Sequence, residues 1–409
     1  MAPPRSHGPT RTPPTPPGDA WPGAGLSRRG LLGALPALAW SGAAGAAAPT
    51  ASTPFEPRGV APRPLVFPAD FGAHPDTRIE WWYVTGWLGT AEAPRYGFQL
   101  TFFRSRTEVD ARHPSAFAAT QLLFAHAALS DVGQRRQHHD QRMARAGFGL
   151  AQAAVGDTDV RLRDWPLQRR AGAAGTSSIY RAELLAGSHA GPAWQLALQL
   201  ATTQPLLLQG DAGYSRKGPQ PGQASHYYSQ PQLDVAARLQ IDGRSLDLAG
   251  RAWLDHEWSN SVLDPSAVGW DWIGINLFDG GALTAFRLRR ADGSTLWAGG
   301  SLRGPTGSTG ATGSTAETRS FKPDEVRFTP LQRWSSPATA ATYPVLWQVD
   351  TPAGRHRVRA LFEAQELDSR ASTGTVYWEG LSELLDAQGR RIGLGYLEMT
   401  GYAGRLAMP

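Results

Sequence analysis

Between residues 67 and 407 the chain alternates apolar and polar positions in short runs broken by Gly, Pro and Asp. Residues 96–103 (YGFQLTFF), 194–201 (WQLALQLA), 233–241 (LDVAARLQI) and 283–288 (LTAFRL) repeat with a period near two. Successive side chains of a strand point to opposite faces, so this period marks strands with one face on a core. Their spacing suits antiparallel pairing, and long helical periodicity is scarce. An all-β chain is predicted. Residues 304–318 (GPTGSTGATGSTAET) read as a flexible surface loop, and His138-His139 as part of a polar loop.

The pattern occurs twice. Glu80-Trp81 opens a strand-like run followed by Leu100-Thr101-Phe102-Phe103-Arg104; Asp271-Trp272 opens another, followed by Leu283-Thr284-Ala285-Phe286-Arg287. Later in each half an aromatic, a Leu and an acid recur, as Trp253-Leu254-Asp255 and Tyr396-Leu397-Glu398. Two copies of one β unit account for this, with halves at 65–245 and 246–409. A barrel is the simplest such unit that removes its own edges.

Composition changes this picture at one end. Ser27-Arg28-Arg29-Gly30-Leu31-Leu32 leads into an Ala-rich apolar run to Trp40, then AAGAAA at 43–48. Residues 1–48 therefore read as a disordered Pro-rich tail plus an export signal of the twin-arginine type. The apolar run is too short and too rich in Gly and Ala for a membrane span. The expected destination is the periplasm or the exterior. With no Cys, no disulfide can brace the folded part. The formal charge of +5 is mostly leader, since Arg5, Arg11, Arg28 and Arg29 against Asp19 give +3 there and leave +2 for the rest. That balance, with no basic stripe, excludes nucleic acid as a partner. The 40 basic residues include lysine only at 217 and 322.

The densest chemistry lies at 252–274, AWLDHEWSNSVLDPSAVGWDWIG. Read as strands, Trp253, Asp255 and Glu257 share a face, and Leu254, His256 and Trp258 share the other. Trp270 and Trp272 face one way, and Asp271, Ile273 and Ile275 the opposite way. Glu80, Trp82 and Val84 hold the equivalent face of the first copy. A carboxyl buried against indoles loses water, its pKa rises, and it can serve as a general acid. Indole faces attract cations. Acid, His and Trp together suit protonation of an alkene and capture of the cation by water. Carboxyls paired inside a barrel are the structural alternative.

Other chemistries lack their residues. His256-Glu257 is followed by Asn260 where a zinc motif needs His. No metal and no nucleotide cofactor is expected. Ser215, inside Gly213–Gly218, is not in a nucleophile elbow, so a hydrolase would need an unusual Ser215–Lys217 arrangement.

EWWYVTGWL at 80–88, YGFQLTFFR at 96–104, LQGDAGYSRKG at 208–218, YYSQPQL at 227–233, AWLDHEWSNS at 252–261, VGWDWIGINL at 268–277, YWEG at 377–380 and GYLEMTGYAG at 395–404 together resemble one family. It is the AttH-like secreted proteins, related to hydroxyneurosporene synthase, a carotenoid 1,2-hydratase, and often labelled secreted hydrolases. The resemblance implies two tandem lipocalin-like barrels packed together, with a cleft or pocket, within one barrel or between the two, for an apolar ligand, an isoprenoid, polyene or lipid. It also implies roles for His256, Trp258 and Asp271.

The hydro-lyase reading makes Asp271 the acid, with Asp255 and Glu257 as alternates, and has His256 orient water. Trp258, Trp270 and Trp272 would line the cation site, and Trp82, Glu80 and Tyr228 would complete the substrate contacts. The carrier reading has the same pocket move a lipid or isoprenoid through the periplasm, in association with a membrane or a transporter. Acids each paired with an Arg would favour the carrier, or a purely structural role.

Overall fold

The computed structural model describes residues 59–110, 112–172, 177–187, 193–261, 263–305 and 317–406. The leader and most of the 304–318 loop lie outside them. Residues 55–409 form one compact unit. Among the described residues the regular structure is strand, with two short 3-10 turns and no α-helix. His138-His139 falls inside the strand Arg136–Arg145 rather than in a loop.

The strands form two antiparallel sheets of 13 and 10 strands. The first runs from Arg136–Arg145 through Gln121–Asp131, Pro94–Arg106, Ile79–Gly89, Arg244–Ser259, Ala224–Ile241, Trp194–Ala201, Ser178–Ala186, Trp165–Ala171 and Asp159–Leu162 to Ala151–Ala153. Arg136–Arg145 and Asp159–Leu162, near opposite ends of this order, pack together, so the sheet nearly closes into a barrel. The second runs Thr318–Phe321, Thr295–Arg303, Ala282–Arg290, Ala267–Leu277, Arg391–Met399, Thr375–Leu385, Gly354–Ala360, Thr342–Thr351, Arg327–Ser335. The chain changes sheet between Ser259 and Ala267, so Arg244–Ser259 completes the first barrel although most of it lies beyond residue 245.

Burial shows which strands do what. Trp194–Ala201 buries alternate residues only, as a barrel wall with one wet face should. Ile79–Gly89, Pro94–Arg106, Gln121–Asp131, Ala267–Leu277 and Thr375–Leu385 bury nearly every residue. One face of each fills its own barrel and the other packs against the second barrel. Trp82, Phe98, Trp165 and Trp258 belong to the first interior; Ile273, Trp347, Trp378 and Met399 belong to the second. Between them lies a separate cluster that includes Tyr83, Trp87, Trp253, Trp272 and Tyr396.

Ala224–Ile241 does both jobs. It is buried on both faces to Leu233 and alternates from Asp234 on. The switch is a bulge between Gln230 and Leu233, with Gln232 at φ +58°. That left-handed conformation costs about 1–2 kcal/mol. It is offset by the Gln232 N–H donating to Asn276 Oδ1 at 2.8 Å and Nε2 donating to the Leu277 and Gly281 carbonyls at 2.8 and 2.7 Å. Gln232 thereby ties one barrel to the other.

The duplication is visible in the pairing register. Glu80 stands opposite Arg104 and Asp271 opposite Arg287. In both copies the acid and its Arg point into the barrel.

Candidate functional site

Strand alternation divides the predicted site residues among three places. Glu80, Trp82, Tyr228, His256 and Trp258 lie inside the first barrel. Glu80 is fully buried and accepts from Arg104 Nε at 2.8 Å and from the His74 backbone N–H at 2.9 Å. Its Oε1 also meets His74 Nδ1 at 2.7 Å and His256 Nε2 at 2.9 Å. The outer nitrogen of each ring is held too, His74 Nε2 by Asp70 at 2.9 Å and His256 Nδ1 by the Tyr228 hydroxyl at 3.0 Å. The His74 ring stacks on Trp258 at 3.7 Å. Burial raises the Glu80 pKa, but the hydrogen bonds from His256 and His74 and the Arg104 charge outweigh it, leaving the carboxyl well below its usual range. His74, Glu80 and His256 carry ligand-type atoms within 4.8 Å of one another. Both carboxylate oxygens accept from protein donors, which ties the trio into a charge network.

Asp271 lies inside the second barrel. Arg287 Nε donates to it at 2.7 Å, Arg289 at 3.0 Å and the Tyr402 hydroxyl at 2.9 Å. The structure therefore corrects the expected acid role. The Asp271 carboxyl is enclosed by two guanidiniums and a phenol inside the second barrel, and it does not reach the other predicted acids. His256, turned toward Glu80, does not reach them either.

Asp255, Glu257, Trp270 and Trp272 do meet. They line a cavity of about 110 Å³ between the barrels, with Trp81, Tyr83, Phe103, Lys217, Tyr227, Phe286, Tyr377, Glu379 and Glu398. The register explains its symmetry. Trp81 stands between Phe103 and Glu257; Trp272 stands between Phe286 and Glu398. Each copy thus contributes one Trp–Phe–Glu row. With Glu80 matched to Asp271, the partner of Glu398 is Glu257, two residues beyond Asp255, which the motif comparison had matched. Gly274 makes room for the second row, because a Cβ there would lie 2.2 Å from the Trp272 indole.

Four carboxyls converge here, in different surroundings. Asp255 accepts from the Tyr227 hydroxyl at 2.8 Å, the Ser229 hydroxyl at 2.5 Å and the Trp253 N–H at 2.7 Å. Burial nonetheless pushes it up to about 7, helped by the Glu257 charge. Glu257 is paired with Lys217 Nζ at 3.3 Å and accepts from the Ser225 hydroxyl. Glu379 and Glu398 stand directly opposite each other on neighbouring strands. Like charges so placed cannot both ionise. Neither oxygen of Glu379 takes a well-aligned hydrogen bond among the described residues. The Tyr83 and Tyr377 hydroxyls face it and lower its pKa only partly; burial first, then the Glu398 charge, raise it well above the carboxylate range. Burial also pushes Glu398 up to about 7. The arrangement holds one neutral acid beside carboxyls that exchange protons near neutrality, under indole and phenyl walls.

Sequence reasoning missed Glu379, Tyr83 and Trp81. It followed the Glu80–Trp82 face, which turns inward, instead of the Trp81–Tyr83 face. Glu379 and Glu398 stood in the quoted segments YWEG and GYLEM, and their position on the faces away from Trp378 and Leu397 was the available signal.

Residues 58–402 match the AttH-like family. The chain belongs to the AttH-like family. A solved protein of Nitrosomonas europaea assigned to AttH is 46% identical, with TM-score 0.73, covering 85% of this chain and 99% of that one. Kievitone hydratase of Nectria haematococca has TM-score 0.58 at 15% identity, covering 86% of this chain and 99% of that one, a likeness of fold. No curated protein matches the chain. The AttH-like fold is thus two lipocalin-like barrels, and here the cavity between them is a candidate active site.

Proposed function

We propose that this AttH-like protein is an exported hydro-lyase that adds water across a double bond of an apolar substrate, an isoprenoid or polyene, in the cavity between its barrels. The observation that carries this reading is Glu379, a buried carboxyl in an aromatic cavity, faced by the Tyr83 and Tyr377 hydroxyls without a cation beside it among the described residues, and with its pKa raised well above the usual range. Glu379 gives its proton to one alkene carbon. The cation left on the other carbon lies against Trp81 and Trp272, whose ring faces stabilise it. Water attacks the cation, and its released proton returns to the Glu379 carboxylate, which resets the site while its cross-strand neighbour Glu398 stays protonated. The fold shared with kievitone hydratase supports the reading to the extent that fold can. Export through the leader at 1–48 belongs to the same proposal.

The test is incubation with acyclic isoprenoid alkenes in oxygen-18 water, read by mass spectrometry. Wild type should gain one labelled oxygen per turnover, and Glu379→Gln should gain none while keeping its fold. Incorporation by Glu379→Gln at the wild-type rate would sink the assignment. A co-purifying lipid with no oxygen incorporation would favour the carrier.

A further inference from the structure

Lysine is nearly absent from this chain. Only Lys217 and Lys322 occur among 40 basic residues. Several buried carboxyls elsewhere pair with arginine, as in Arg104–Glu80, Arg287–Asp271 and Arg391–Glu383. In the cavity alone the cation is lysine. Lys217 lies on the short strand Tyr214–Arg216 side of the first barrel, just past its end, and its side chain is only 12% exposed. Its Nζ sits 3.3 Å from Glu257 and 5.3 Å from the centre of the Trp81 ring, on the wall of the cavity. Guanidinium would serve the ion pair at least as well, being permanently charged and able to bind a carboxylate through two N–H groups. A primary amine can do one thing that guanidinium cannot do here: lose its proton and attack a carbonyl carbon.

We propose that Lys217 is a covalent anchor that forms an imine with an apolar aldehyde or ketone bound in the cavity. The neutral amine adds to the carbonyl carbon, and a proton moves from nitrogen to oxygen to give a carbinolamine. A cavity carboxyl protonates the hydroxyl, water leaves, and the nitrogen lone pair closes the iminium. Glu257 is then its counter-ion. Burial, which lowers the Lys217 pKa against the pull of Glu257, favours the neutral amine needed for the first step. The aromatic walls select an apolar chain on the carbonyl.

This rests on the hydro-lyase reading for its consequence and, for one substrate class, replaces its first step, since water then adds before carbon is protonated. With an α,β-unsaturated carbonyl, the iminium withdraws electrons from the β-carbon. Water adds there and loses a proton to an ionised carboxyl, giving an enamine. Protonation at the α-carbon restores the iminium, and a second water releases the β-hydroxy carbonyl and free Lys217. The substrate class is then a conjugated apolar carbonyl.

The experiment uses the full chain, citral as the probe and cyanoborohydride to trap the iminium at neutral pH, followed by peptide mass mapping. Lys322, exposed on the surface, is the internal control. The expected result is one reduced adduct on Lys217, lost in Lys217→Arg and kept in Lys322→Arg. Lys217→Arg preserves the cation beside Glu257, and an unchanged melting temperature will verify its fold. An adduct confined to Lys322 or the amino terminus, an even spread, or no adduct at Lys217 overturns the proposal. Trapping needs no turnover, so an adduct on Lys217 in a protein that never incorporates labelled oxygen would refute hydration and leave the anchor standing.

Discussion

Replacing Asp271 by Asn should damage the fold, not merely the chemistry. Asp271 is fully buried, and Arg287 and Arg289 beside it are 7% and 6% exposed. Two unit charges about 4 Å apart attract by about 4 kcal/mol at an effective dielectric near 20, so the two pairs gross about 8 kcal/mol. Much of that offsets the desolvation of the three groups in the wild type. The variant keeps the desolvation of both guanidiniums and loses the charge that offset it. Breaking a buried pair in this way costs about 3–5 kcal/mol. Urea unfolding followed by tryptophan fluorescence reads the loss. A second variant gives the mechanism its sharper check. Asp271→Leu with Arg287→Met and Arg289→Met removes all three charges at once, and should recover most of what Asp271→Asn loses. Wild-type stability in Asp271→Asn would refute the structural role and return Asp271 to the candidate acids.

Two further outcomes follow from the cavity and the barrel contact. Glu379 has its pKa raised in the folded protein, so the native state holds a proton that the unfolded chain releases above the ordinary Glu range. Its contribution is full below about pH 4.3 and is lost as pH rises toward the folded pKa. Glu379→Gln should therefore flatten the decline of urea stability between about pH 5 and 8, and an unchanged slope would mean that Glu379 is ionised throughout. Gln232→Ala removes two side-chain hydrogen bonds to the second barrel and should cost about 1–3 kcal/mol. Hydrogen exchange should show the loss at residues 276–281 more than in the Trp194–Ala201 wall.

The all-β class and the matching pairs Glu80/Arg104 and Asp271/Arg287 were legible because alternation and these hairpin pairings are local in sequence. The barrel boundary was less so. Arg244–Ser259 carries the motif that looks like the start of a second unit, yet it pairs with Ile79–Gly89, more than 150 residues earlier, and no local pattern encodes that pairing. The site was half legible. Asp255, Glu257, Trp270 and Trp272 were singled out and do converge. Asp271 and His256 were singled out by the same residue types, but they point to the opposite face. In strands buried on both sides the usual rule, that the apolar face is the core, no longer tells the two faces apart. Charge on Asp271 signalled a buried ion pair, whereas the uncompensated carboxyl was Glu379, which has no arginine near it in the sequence to give it away.

The two Trp–Phe–Glu rows have a consequence for orientation. An elongated ligand enclosed by near-equivalent walls has two ways to lie, head to tail or reversed, with similar contacts on Trp81 and Trp272. Lys217 stands on the Glu257 side only, with no lysine beside Glu398. A cavity with two matching rows is made directional by one side chain that stands beside only one of them.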